Sequence, residues 1–144
     1  ETISAAITIA ETGHLVFATL HTNSAPETII RILDLFPPEK AGSIRVSLGE
    51  SLKLVISQNL VPTIDNKRVL AYESLNVDTN LKNIIIAETK SFVSAITQHM
   101  HANFKNGMIT MNRCLNKLYG EGKITQEMAL EYSNDREELL ELFK

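Results

Sequence analysis

A helical stripe runs into a strand-length apolar run with almost no linker between them, and few fold classes tolerate such a junction. Ile3, Ala6, Ile7 and Ala10 recur at helical spacing between Thr2 and Thr12, and Gly13 follows at the point where a left-handed C-cap is easiest. His14-Leu15-Val16-Phe17-Ala18-Thr19-Leu20 comes next, apolar and of strand length. A buried helix feeding at once into a buried strand is the arrangement of a parallel α/β layer. Beyond it, Asn23 or Ser24 is suited to cap a helix, with Pro26 at its start and Glu27 complementing the dipole. Ile29, Ile30, Leu33 and Leu35 supply that helix with an apolar side, and Pro37-Pro38 ends it.

From Glu39 the positions Ile44, Leu48, Leu52, Val55 and Ile56 keep a helical face, after which Gln58 to Pro62 reads as extended. Asp65-Asn66-Lys67 is a turn, and Arg68 to Leu75 completes a hairpin. Five helical patterns follow: Leu81 to Glu88, Ser91 to His101, Met108 to Tyr119, Thr125 to Tyr132 and Arg136 to Phe143. The expected organisation is an α/β part over residues 1–76 and a helical subdomain over 77–144. With no repeat and no low-complexity linker, the helical part is expected to pack on the first.

At 144 residues, 44% of them hydrophobic and 22% charged, the chain has the material for one folded core and lies far from the composition of disorder. A net charge of −3 argues against a broad nucleic-acid footprint. One cysteine, Cys114, excludes an internal disulfide and a Cys-based zinc cluster and fits a reducing compartment, most simply the cytosol. No uninterrupted apolar stretch approaches the roughly 18–20 residues that span a bilayer. The start Glu1-Thr2-Ile3-Ser4, with no basic n-region and no initiator Met, reads as the continuation of a longer chain.

The polar residues Thr19, His21 and Thr22 fall at the C-terminal end of the expected strand, where open α/β sheets bind ligands. The alternative, left open by the residues alone, is that His14 and His21 merely cap strand ends. His99 and His101, two apart on a helix, point to different sides, so a surface location is expected and a metal site is not. Met100, Met108, Met111 and Met128 read as core filler.

The stretch Ala10-Glu11-Thr12-Gly13-His14-Leu15-Val16-Phe17-Ala18-Thr19-Leu20-His21-Thr22 resembles the histidine box of type IV pilus retraction ATPases, within the secretion-ATPase superfamily, whose usual form is A-E-T-G-H-L-V-F-G-T-L-H-T. Only Ala18 departs from it. The likeness continues through Arg31 to Glu39, Glu50 to Leu60 and Arg68 to Glu73, and resumes at Gly107 to Asn112 and Gly122 to Thr125. It implies the C-terminal part of a RecA-like P-loop ATPase core, a parallel sheet plus a hairpin, followed by a helical subdomain.

By the same resemblance the Walker B strand lies just before Glu1, and the P-loop lysine, acidic box and catalytic glutamate lie further upstream. This sequence contains no G-x-x-x-x-G-K-[ST], and Gly122-Lys123-Ile124 has Ile where the Mg²⁺-binding hydroxyl belongs. The implied function is a hexameric motor that hydrolyses ATP with Mg²⁺ to drive pilus retraction and twitching motility. Its implied setting is the cytoplasmic face of the bacterial inner membrane, docked on the pilus platform protein, with no nucleic acid. His21, with Thr19 and Thr22, is expected to sense the γ-phosphate or position the attacking water, and His14 to support the strand or a subunit contact. Glu1 and Glu11 are the cofactor-side candidates; Arg45, Arg31 and Lys82 are those for the subunit interface, with Arg68 a further cation. Where the family often has A-I-R-N-L-I-R, this chain has Asn80-Leu81-Lys82-Asn83-Ile84-Ile85-Ile86, which opens an accessory retraction paralogue as an alternative. A related secretion-system ATPase, of the extension or type II secretion kind, is the runner-up, although those commonly add a four-cysteine zinc insertion that one Cys cannot build. As an isolated piece, the chain would serve as a non-catalytic oligomerisation or docking module.

Overall fold

The computed structural model describes residues 2–87 and 90–144. Glu1, a cofactor-side candidate, and Glu88, the expected end of a helix, lie outside the described residues. The first helix, α1 (Thr2–Glu11), ends as its sequence demands: Gly13 takes φ 90°, its N–H donates to Ala10 O at 2.9 Å, and the chain turns away. Helix α2 (Ala25–Asp34) is capped by Ser24, whose Oγ accepts from Glu27 N, while Glu27 Oε2 in turn accepts from Asn23 N. That reciprocal pair satisfies two amides that would otherwise be orphaned. Its buried side is Ile29, Ile32 and Leu33; Leu35, expected there, forms the C-cap and is exposed.

Helix α3 (Pro38–Ser51) starts on two prolines, which fix φ where no donor is needed. The helical face expected to run on through Val55 and Ile56 stops at Ser51, and both residues belong to strand β1 (Leu54–Pro62). Alternation decides this. Val55, Ser57 and Val61 face inward, while Leu54, Ile56 and Leu60 face out, a period of two that no helix provides. Strand β2 (Arg68–Asn76) pairs antiparallel with β1 from Leu54↔Asn76 to Pro62↔Arg68. The turn closes with Asn66 at φ 60°, Thr63 N donating to Lys67 O, and Lys67 Nζ 2.8 Å from Asp65. The lysine, and then the Thr63 hydroxyl, hold the Asp65 carboxyl below its usual range.

Among the described residues five α-helices follow, α4 (Thr79–Ile86), α5 (Phe92–Ala102), α6 (Met111–Gly120), α7 (Gln126–Glu131) and α8 (Arg136–Leu142), with a short 3-10 turn over Phe104–Asn106. Asp78, Thr110, Thr125 and Asp135 cap α4, α6, α7 and α8 through their side chains. Apolar burial forms two clusters. One joins α1 to α5 and includes Ile29, Leu48, Val55, Leu75, Leu81, Ile85, Ile96 and Met100. The other gathers Val61 and Ala71 of the hairpin with Met111, Leu115, Leu118, Ile124, Ala129 and Leu139 of α6 to α8 and their connections. The hairpin passes through both.

The sheet is therefore two-stranded and antiparallel among the described residues. The strand expected over His14–Leu20 joins no ladder there, and Leu15 and Phe17 are 81% and 90% exposed. Its apolar sequence has strand character, but a strand exists only where a second backbone accepts its hydrogen bonds, and none lies beside it among these residues.

Candidate functional site

The histidine segment runs from the end of α1 to the start of α2. His14 lies exposed at its beginning, its Nδ1 sharing a hydrogen with Thr12 Oγ1 at 2.9 Å, and Glu11 is exposed at the last position of α1. Thr19 and His21 are exposed at the other end, and Thr22 is half-buried. The two histidines thus stand at opposite ends of the segment, and Thr19, His21 and Thr22 are neighbours in sequence at the second end.

That group is fixed from α2. Thr28 Oγ1 donates to Ser24 O at 2.8 Å, leaving Thr22 Oγ1, 2.6 Å away, as donor to Thr28. Arg31 Nη1 donates to His21 O at 3.3 Å. The backbone of His21 is held while its imidazole stays free in solvent, the condition for a side chain that must meet a ligand. The helix pole behind it is already occupied: the first amide of α2, Ala25 N, donates to Glu73 Oε1 at 2.6 Å. The positive pole of α2 is thus engaged by a carboxylate of the same chain.

Glu73 is the group that sequence reasoning passed over. It occupies an inward position of β2 between Ala71 and Leu75, 5% exposed, and its second oxygen accepts from Met111 N at 3.2 Å. Burial pushes its carboxyl above the usual glutamate range, against the two amides, which pull it down; nearby Glu138 adds to the rise and His101 opposes it. Its signal in the sequence was parity: a carboxylate on the apolar side of a two-residue alternation.

The interface candidates lie apart from the histidine loop, Arg31 excepted. Arg45 Nη1 donates to Ile85 O at 3.1 Å, and its guanidinium lies 5.4 Å from the Phe92 ring centre, so it ties α3 to α4 and α5. Lys82 is ion-paired with Glu50 across α3 and α4. Arg68 is exposed at the start of β2. His99 corrects the surface expectation, because its side chain is only 8% exposed and Nε2 lies 3.0 Å from Asp78 Oδ2. Asp78 uses its other oxygen to cap α4, so one carboxylate serves both helices and draws the imidazole inward. His101 turns to Glu138, at 3.4 Å. Among the described residues, no three His, Cys, Asp or Glu side chains are grouped to hold a metal.

The family described as Type II/IV secretion system protein matches residues 1–135. The type IV pilus retractation ATPase PilT of Pseudomonas aeruginosa is 44% identical over 131 residues, covering 91% of this chain and 37% of that protein. A twitching motility protein of Neisseria gonorrhoeae is 41% identical over 140 residues, covering 96% of this chain and 37% of that protein. The crystal structure of the pilus retraction motor PilT with bound ADP matches with a TM-score of 0.82 at 43% identity, over 97% of this chain and 38% of that one. The chain spans 37% of the length of these curated relatives.

Proposed function

The chain belongs to the Type II/IV secretion system protein family, and from that membership we propose that it is the C-terminal part of a hexameric ATP-hydrolysing motor that drives type IV pilus retraction. The observation that carries this reading is the loop before the capped helix α2, where the His21 backbone is anchored by Arg31, Thr22 is tied to Thr28, and the His21 ring is exposed. Residues 1–76 are read as the C-terminal part of the ATPase core and residues 77–144 as the helical subdomain. The motor works at the cytoplasmic face of the inner membrane against a platform protein; among the described residues no helix is long and apolar enough to cross a membrane.

ATP with Mg²⁺ is the implied ligand, and the exposed donors fit its phosphate end in part. Bound ATP supplies the phosphoanhydride to be hydrolysed. The chain's own contribution would be positioning: the exposed His21 ring would offer an N–H to the terminal phosphate or its attacking water and Thr19 a hydroxyl, while Thr22, whose hydroxyl is engaged with Thr28, would brace the loop. Glu11, exposed at the end of α1 beside His14, is read as a cofactor-side carboxylate of the complete motor. Among the interface candidates Arg31 is exposed, whereas Arg45 and Lys82 are engaged between helices of the same chain. The test is ATP turnover by the full-length protein together with its particle mass. Turnover by a particle of six chains is expected; a monomer that binds no nucleotide contradicts the reading.

A second reading, the accessory retraction motor, is favoured by α4. Lys82 pairs with Glu50, and Ile86 packs against Gly49, at the two places where the retraction motif has arginines. A host lacking retraction would then regain twitching only when this protein is supplied together with the principal motor.

A further inference from the structure

Glu73 lies where the two hydrophobic clusters meet. On the inward face of β2, Ala71 belongs to the second cluster and Leu75 to the first, with Glu73 between them. A carboxylate in such a position persists only if its oxygens are satisfied. Oε1 takes the N–H of Ala25 and Oε2 that of Met111, the first residues of α2 and α6. One side chain therefore occupies the positive poles of two helices at once, one leading out of the histidine loop, the other opening the C-terminal group. The backbone repeats the link: Ser74 and Ile109 exchange both of their N–H···O bonds, at 2.9 and 3.0 Å. From Ala25 the connection to the loop is short. Ser24 caps α2 and receives Thr28, Thr28 receives Thr22, and Arg31 holds His21 O.

We infer that Glu73 is a positioning residue for the His21 loop, holding the start of α2 in register with α6 so that the loop and the C-terminal helices move as one. The kinetic consequence rests on the motor reading; the mechanical one does not. Both oxygens must accept, and a carboxamide of the same shape offers only one acceptor, so Glu73→Gln necessarily breaks one of the two helix contacts. Ser57, opposite Glu73 in the register, has a buried hydroxyl with no hydrogen-bond partner among the described residues and offers no substitute path to either helix.

The test uses Glu73→Gln in the full-length protein. Amide exchange at Thr22 and Ala25 is expected to accelerate about tenfold, and kcat to fall about tenfold with the KM for ATP held within about twofold. Ile96→Val, a small cavity in the first cluster, is the control for lost stability; it should lower the melting temperature and leave kcat in place. Unchanged exchange at Thr22 and Ala25 in Glu73→Gln overturns the inference, as does a fall in kcat that Ile96→Val reproduces. If the wild-type protein turns over no ATP, the motor reading fails and exchange alone decides, acceleration supporting the link and normal rates overturning it. If Glu73→Gln does not fold, Glu73→Asp keeps the charge but is one methylene too short for both amides. Lost protection at one helix start then supports the inference, and full protection at both overturns it.

Discussion

At the scale of single residues the chain separates a group that must be free from a group that must be fixed. His21 is held by its carbonyl and leaves its ring in solvent, whereas Glu73 is enclosed and spends both oxygens on backbone amides. Enclosure raises the proton affinity of Glu73 in the folded chain above that of the unfolded one. Its contribution to stability is then complete below the ordinary glutamate pKa and is lost as pH rises through the raised value. Glu73→Gln carries no such titration. The stability of the wild type relative to Glu73→Gln is therefore expected to decline from acid to neutral pH, read from urea unfolding at a series of pH values. A difference that stays flat, or grows with pH, would show that the two amides outweigh burial.

Among the elements, α3 and α4 approach closely at Gly49. A Cβ on Gly49 would lie 3.1 Å from Ile86 Cγ1 and 3.4 Å from the Lys82 carbonyl oxygen, so the glycine sets the spacing of the two helices. Gly49→Val is expected to destabilise by about 1–3 kcal/mol through overpacking, read by denaturant unfolding, and an unchanged midpoint would mean that Ile86 swings aside without cost. Much of this element structure was legible in the sequence. Gly13, Ser24, the two prolines and the turn residues act over one to four positions, and a single chain displays such effects in full. The α3–β1 boundary was missed because Leu48, Leu52, Val55 and Ile56 satisfy a helical spacing by coincidence, and only pairing with β2 shows which period governs. His99 was misplaced for the same kind of reason, its partner Asp78 being remote in sequence and its burial a matter of how α4 meets α5.

For the whole molecule, the histidine segment is the clearest feature of the sequence and yet largely exposed among the described residues. Leu15 and Phe17 have the composition of a buried strand and stand open, while the polar end of the same segment is tied down through α2. Residue pattern alone placed Thr19, His21 and Thr22 at one end. It gave no hint that α2's pole was already taken, since Glu73 arrives from a strand 48 residues further along the chain. On the proposed reading His21 positions the terminal phosphate or its attacking water. The most direct measurement is steady-state ATP turnover of full-length His21→Ala beside nucleotide affinity from equilibrium titration. The expected result is a kcat lower by about 100-fold or more with affinity within a few-fold of wild type. Wild-type turnover, or a loss of affinity that accounts for the whole effect, would contradict it.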